Sequence, residues 1–249
     1  MGTNSIKTLR LHDKFYLNEN RYNEPKEIFI YLLNLIKKNR LIKSKLSVGD
    51  FGCSNGEFCY FLKKNFDNFD ITGYDVLTDL ISKARKKVKN VKFKHGSVLN
   101  KNLSNKNEHD LSFCLGVLSI FDSFELTLNN LIKWTKPKGK IYIFSFFNNY
   151  SFDVNIKFSK SENWMKNKPK FWESGYNVFS KKTIAKFLKN EKKVKNFKFY
   201  DFTMKKNLKI NHKDYLRSWT VNTDQKKKLI MNGTNLLHPF SVLEINLDK

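Results

Sequence analysis

The stretch VGDFGCSNGEF, residues 48–58, decides the reading of this chain. An apolar run ends at Asp50, Gly52 and Gly56 bracket a tight turn, and Glu57 opens a helical pattern. Ser54 stands where a G-x-G-x-G spacing would put its middle glycine, so the turn alone is ambiguous. The next apolar run, DITGYD, ends on Asp75, nineteen residues after Gly56. A strand, a glycine turn, a helix and a second strand tipped by an acid are what a nucleotide site requires. Glycines let the backbone approach the ligand, and the acid accepts hydrogen bonds from ribose hydroxyls.

Working outward, residues 25–39 form an amphipathic pattern with Pro25 in the first turn, where a missing N–H costs nothing. Strands are predicted at 46–51, 70–75, 91–95, 110–115 and 140–146, with helices at 57–65, 77–88 and 124–134 between them. The almost wholly apolar DLSFCL at 110–115 has the pattern of a strand covered on both faces. Pro137 and Gly139 are expected to stop the helix before the fifth strand. This alternation argues for a parallel sheet in an α/β layer architecture. Beyond residue 148 the pattern loosens. A helix capped by Ser180 is expected at 180–189, with strands at 197–204 and 240–247. The 35 or so residues between those strands are expected to carry a helix around 224–231 and to form a lid or wall.

With 40% hydrophobic residues the 249-residue chain can bury a sizeable core. No apolar run reaches the roughly 18 residues of a membrane helix, and the N-terminal stretch shows no apolar signal region. Three cysteines form no C-x-x-C, which suits reduced thiols and a cytoplasmic location. The five histidines form no metal-like cluster, so no metal is expected. The net charge of +24 invites a nucleic-acid partner. However, only five of 47 basic residues are arginine, the side chain that phosphate and base recognition usually recruits. The Lys/Asn excess reads instead as the composition of an AT-rich genome, although such charge also favours an anionic substrate.

Asp50 before the turn and Glu57 after it would repel a pyrophosphate but suit a ligand carrying an ammonium and a sulfonium. The sequence resembles the class I S-adenosylmethionine-dependent methyltransferases, with good register over residues 25–147. The resemblance implies a three-layer Rossmann-like fold, a mostly parallel seven-stranded sheet with an antiparallel last strand at 240–247. It implies one methyltransferase domain: an N-terminal helical cap (1–44), a cofactor-binding core (45–147), and substrate-side insertions (148–179 and 205–239). It further implies S-adenosylmethionine as cofactor and S-adenosylhomocysteine as product. Asp50, Gly52, Cys53, Asn55 and Gly56 would line its methionine part. Asp75 would bind the ribose, with Val76 and Leu77 beside the adenine. Ser97 and Val98 stand where the family often has an acid for the adenine amino group, and Leu115 and Gly116 would floor the reacting methyl.

Methyl transfer from a sulfonium needs chiefly alignment, and a base only if the acceptor must lose a proton. His212, His238 and Tyr22 are the candidates. The Asn/Asp-Pro-Pro-aromatic run of base methyltransferases is absent after the fourth strand, where the sequence reads LGVLSIF, so a nucleic-acid base is disfavoured. Tyr16, Tyr22, Asn148, Tyr150, Trp172, Tyr176, Arg217 and Trp219 are the candidate acceptor contacts. They suit a small polar molecule such as a sugar or a carboxylate-bearing biosynthetic intermediate. Arg217 is either a bidentate contact to an anion or half of an ion pair with Glu173 or Asp201. Two other readings stay open: an RNA or protein methyltransferase recruited by the basic surface, and an inactive cofactor-binding module.

Overall fold

The computed structural model describes residues 16–38, 45–159, 161, 172–224 and 228–248. Five parallel strands build the first half: β1 (Ser47–Phe51), β2 (Asp70–Asp75), β3 (Lys92–His95), β4 (His109–Leu115) and β5 (Thr135–Asn148). Helices α1 (Glu27–Lys38), α2 (Glu57–Asn65), α3 (Thr78–Lys87) and α4 (Glu125–Trp134) alternate with them. After β5 come three two-residue strands, β6 (Lys157–Phe158), β7 (Glu173–Ser174) and β8 (Phe179–Ser180). Helix α5 (Lys181–Asn190), β9 (Val194–Phe202), β10 (Trp219–Asn222), β11 (Lys228–Met231) and β12 (Phe240–Leu247) complete the chain.

The main sheet runs β3-β2-β1-β4-β5-β12-β9, and β8 extends it by pairing with the end of β5. β12 is antiparallel to both its neighbours, as the resemblance implies. The side-chain period of two along a strand sorts the core into two layers. Tyr142 and Phe144 of β5 pack on one face with α1, α2 and α3, while Ile141 and Ile143 pack on the other with α4 and α5. This is the three-layer sandwich that the sequence predicts.

Most element boundaries fall within two residues of the sequence reading, and three differences are informative. Helix α4 stops at Trp134, but the chain enters β5 at once, carrying the KPKG segment as an irregularity in the β4–β5 register. Lys138 there is left-handed (φ 62°). Of the segment around 224–231 expected to be helical, Lys228–Met231 is instead β11, antiparallel to β10 with Thr220 opposite Ile230 and Val221 opposite Leu229, and 225–227 lie outside the described residues. Cross-strand pairs of β-branched and aliphatic side chains favour this over one isolated helical turn. At α5 the expected cap is seen: Ser180 Oγ accepts from the Lys182 N–H.

Candidate active site

The C-terminal ends of β1, β2, β4 and β5 open onto a cavity of about 690 Å³, within the size range of small-ligand sites. One end of it is made by the 48–58 stretch. The Gly52 and Cys53 N–H groups donate to the Tyr74 carbonyl at 2.7 and 2.9 Å, which ties the turn to the neighbouring strand. Gly52 has φ 88°, and a Cβ there would stand 2.1 Å from Val117 Cγ2, so only glycine fits. Ser54 takes a left-handed conformation too (φ 51°). Its N–H donates to Asp75 Oδ2 at 2.8 Å, while Leu77 N–H donates to Oδ1 at 2.9 Å. Serine therefore replaces the middle glycine because a carboxylate pins its backbone, and its buried Oγ has no partner among the described residues.

Asp50 is fully buried under the turn, where its Oδ2 accepts from the Cys59 thiol at 3.3 Å. Burial pushes its pKa up to about 7; the thiol bond opposes this and the Asp75 charge adds to it. A carboxyl so placed is stabilised as a carboxylate by any cation that enters beside it. Burial likewise raises the Cys53 thiol to about 11, which leaves it a packing group.

The N-terminal segment closes over the turn. Asn55 Nδ2 donates to the Tyr16 and Glu19 carbonyls, and Lys83 Nζ donates to those of Leu17 and Glu19. Glu57 Oε1 accepts the Arg21 N–H at 2.8 Å. Glu19 is the hub: Arg217 Nη1 lies 2.8 Å from its Oε1, Lys26 Nζ 3.3 Å from Oε2 and Arg21 Nε 3.4 Å from Oε1. Burial raises the Glu19 pKa, but Lys26, Arg217 and Arg21 outweigh it and hold the group below its ordinary value. Arg217 is thus an ion-pair residue, with Glu19 rather than Glu173 or Asp201 as partner.

All the expected cofactor residues except Gly56 line this cavity: Asp50, Gly52, Cys53, Asn55, Asp75, Val76, Leu77, Ser97, Val98, Leu115 and Gly116. Gly56 sits behind the turn as the left-handed residue before α2. Ser97 Oγ accepts from the Leu99 N–H, a turn contact that leaves its hydroxyl proton available. Of the acceptor candidates, Tyr16, Tyr176 and Arg217 line the cavity, whereas Tyr22, Asn148, Tyr150, Trp172 and Trp219 do not. Asn148 staples its own loop, bonding Phe152 O and the Tyr150 N–H. Tyr150 and Trp172 are largely exposed, and Trp219 belongs to the β10–β11 hairpin.

The candidate bases are placed elsewhere. The Tyr22 hydroxyl donates to the Asn55 carbonyl at 2.7 Å, and burial with the Glu57 charge pushes its pKa up to about 12. His212 is exposed and outside the lining. His238 is buried with its ring 4.6 Å from that of Phe146, and burial lowers its pKa to about 4. It stands behind the cavity wall as a neutral ring. Sequence reasoning missed Glu19 and the aromatic wall of Phe144, Phe146, Phe158, Phe202 and Phe240. The alternation of β5 and β12 carries part of that wall, but nothing local marks Glu19.

Comparison with known proteins decides the family. A family model described as a methyltransferase domain matches residues 42–191, which is more than half of the chain. The chain belongs to the S-adenosylmethionine-dependent methyltransferases. Among curated proteins, this methyltransferase is similar to the malonyl-[acyl-carrier protein] O-methyltransferase of Priestia megaterium (strain DSM 319 / IMG 1521). The two are 29% identical over 123 residues, 49% of this chain and 43% of that protein. The chain thus spans less than half the length of that relative.

Solved structures share the fold at low identity. A protein described as an O-methyltransferase from Nostoc punctiforme has a TM-score of 0.56 and 13% identity, covering 88% of this chain and 56% of that one. A protein described as a methyltransferase, in complex with the Haloferax volcanii Trm112 activator, has a TM-score of 0.60 and 11% identity. That match covers 97% of this chain and all of the other. The [4+2]-cyclase SpnF also shares the fold (TM-score 0.51, 14% identity, 68% of this chain and 60% of that one). Fold alone therefore does not carry the reaction; the site does. Among the described residues, no helix is long and apolar enough to cross a membrane, and no group of three ligating side chains could hold a metal.

The residues present fit S-adenosylmethionine. The glycine turn admits close backbone approach, the Asp75 carboxylate lies where a ribose would reach it, and buried Asp50 is poised for a positive charge. When bound, that cofactor supplies a methyl group already activated on a sulfonium.

Proposed function

We propose that this methyltransferase transfers the cofactor methyl directly to a small polar molecule held in the same cavity. The observation that carries this reading is the continuity of one cavity, from the Asp50–Asp75 carboxylates to a wall built of Phe144, Phe146, Tyr176 and Phe240. The chain's part is alignment. The turn and Asp75 orient the donor, Leu115, Gly116 and Val117 floor the transfer point, and the aromatic wall keeps water from the reacting pair. Bound S-adenosylmethionine would supply the methyl carbon to the acceptor's lone pair and would keep the C–S electron pair on its sulfur. A proton on the acceptor passes to solvent or a neighbouring group, and no lining histidine supports a dedicated base.

The acceptor named for the Priestia relative, malonyl-[acyl-carrier protein], carries a carboxylate. Here three of the lining cations, Arg21, Lys26 and Arg217, are already engaged by Glu19, while Lys206 and Lys209 are exposed. Incubation with methyl-labelled S-adenosylmethionine and a fractionated cell extract tests the proposal. Label should enter the small-molecule fraction at both low and moderate salt. Label found only in RNA or protein, and lost steeply with salt, would overturn it.

A further inference from the structure

Among the described residues, five cationic side chains line the cavity. Arg21, Lys26 and Arg217 converge on Glu19, and Lys26 also lies 3.8 Å from Glu57; the other two, Lys206 and Lys209, are exposed. The β6–β7 pair presents the opposite balance. Lys157 stands opposite Ser174, and Phe158 opposite Glu173. Directly paired residues share a face, and successive residues alternate between faces. The face with Lys157 and Ser174 is held by Asp122: Ser174 Oγ donates to Oδ1 at 2.5 Å, and Lys157 Nζ lies 3.3 Å from Oδ2. The face with Phe158 and Glu173 lines the cavity.

Tyr176, held left-handed (φ 61°), brings its ring to 6.0 Å from that of Phe158 and 6.4 Å from that of Phe146. Its hydroxyl donates to the Leu216 carbonyl at 2.5 Å, which fixes the ring as part of the wall. Glu173 Oε2 is shielded from solvent and has no hydrogen-bond partner among the described residues. The one lysine on its strand pair is turned to the other face and engaged by Asp122. A carboxylate oxygen kept from water wants a donor, and aromatic faces attract positive charge. Both demands are met by one group, an ammonium.

We propose that the acceptor carries a cationic amine, which donates to the Glu173 carboxylate and rests against the rings of Phe158 and Tyr176. This inference rests on the methyltransferase reading of the cavity and names the acceptor's chemical class. Glu173 is then a specificity determinant: it makes a charge-assisted hydrogen bond to the amine and leaves the cofactor end untouched.

Calorimetry tests it in two stages. S-adenosylhomocysteine is titrated first; failure of the wild type to bind it would overturn the methyltransferase reading itself. With S-adenosylhomocysteine saturating, the probes are 2-phenylethylamine, its N-acetyl derivative and 3-phenylpropanoate. The amine should bind at least about tenfold more tightly than either other probe. Glu173→Gln should weaken the amine by about tenfold, with S-adenosylhomocysteine affinity unchanged. Equal or tighter binding of the carboxylate or the amide, no binding of the amine, or a folded Glu173→Gln protein with undiminished amine affinity would each overturn the amine assignment. The ranking of the three probes on the wild type decides the matter even if the variant does not fold.

Discussion

The two ends of the cavity are built by different means. The cofactor end is a run of consecutive strand tips, held through backbone N–H groups: Gly52 and Cys53 to the Tyr74 carbonyl, Gly96 to the Asp75 carbonyl, and Ser54 and Leu77 to the Asp75 carboxylate. The acceptor end is assembled from segments far apart in the chain, joined by side chains such as Glu19 to Arg217 and Tyr176 to Leu216. The first tolerates little change because each contact fixes a backbone N–H of the turn or of a strand end. The second can be re-specified by exchanging single side chains on a fixed scaffold, as expected where one fold serves many acceptors.

Substitutions should separate the two ends, beginning with the largest effect. Gly52→Ala places a Cβ 2.1 Å from Val117 Cγ2 at φ 88°. It should cost about 1–3 kcal/mol of stability and abolish cofactor binding, measured by thermal unfolding and calorimetry. Next, Asp75→Ala removes the carboxylate that holds two N–H groups of the turn and would meet the ribose. Cofactor affinity should fall about tenfold to a hundredfold. Normal affinity in that variant would break the assignment of this end.

A smaller, pH-dependent effect is expected at Asp50. Its folded pKa, raised by burial from the ordinary carboxylate value of 3.8 to about 7, means that over this range the folded protein holds a proton the unfolded chain has lost. Stability of the ligand-free protein should therefore decline from about pH 4 to about pH 7 and level off above. Affinity for the cationic cofactor should rise over the upper part of that window as the carboxylate forms. Asp50→Asn should flatten both profiles. The smallest effect is expected at the joint between the ends. Arg217→Met should cost about 1 kcal/mol, since its side chain is partly exposed, and should leave cofactor affinity within about twofold. A large loss of cofactor affinity there would mean that the two ends are not separable.

The legibility of the sequence follows the same division. Asp50, Gly52 and Asp75 could be picked out because the features that matter, a strand end, a tight turn and the next strand end, lie within 28 residues. The hydrophobic periods of β1 to β5 then carried the sheet. The 224–231 segment was misread as helix because its apolar residues pair with Thr220 and Val221 across a hairpin, a partnership no local window contains. Arg217 stood out as rare, yet its partner Glu19 lies 198 positions away. Tyr22, expected at the acceptor, holds the Asn55 carbonyl instead.

By itself, then, the order of residues determined the layered α/β fold and the cofactor end, because both depend on short-range patterns of burial and turn chemistry. The cavity's acceptor end, with Glu19 gathering Arg21, Lys26 and Arg217 and Glu173 set opposite Phe158, took shape only when distant segments packed together. Charge on a chain is a sum over residues; charge in a cavity depends on which residues are paired. A protein of net charge +24 can therefore line its cavity with a carboxylate, Glu173, whose Oε2 has no hydrogen-bond partner among the described residues.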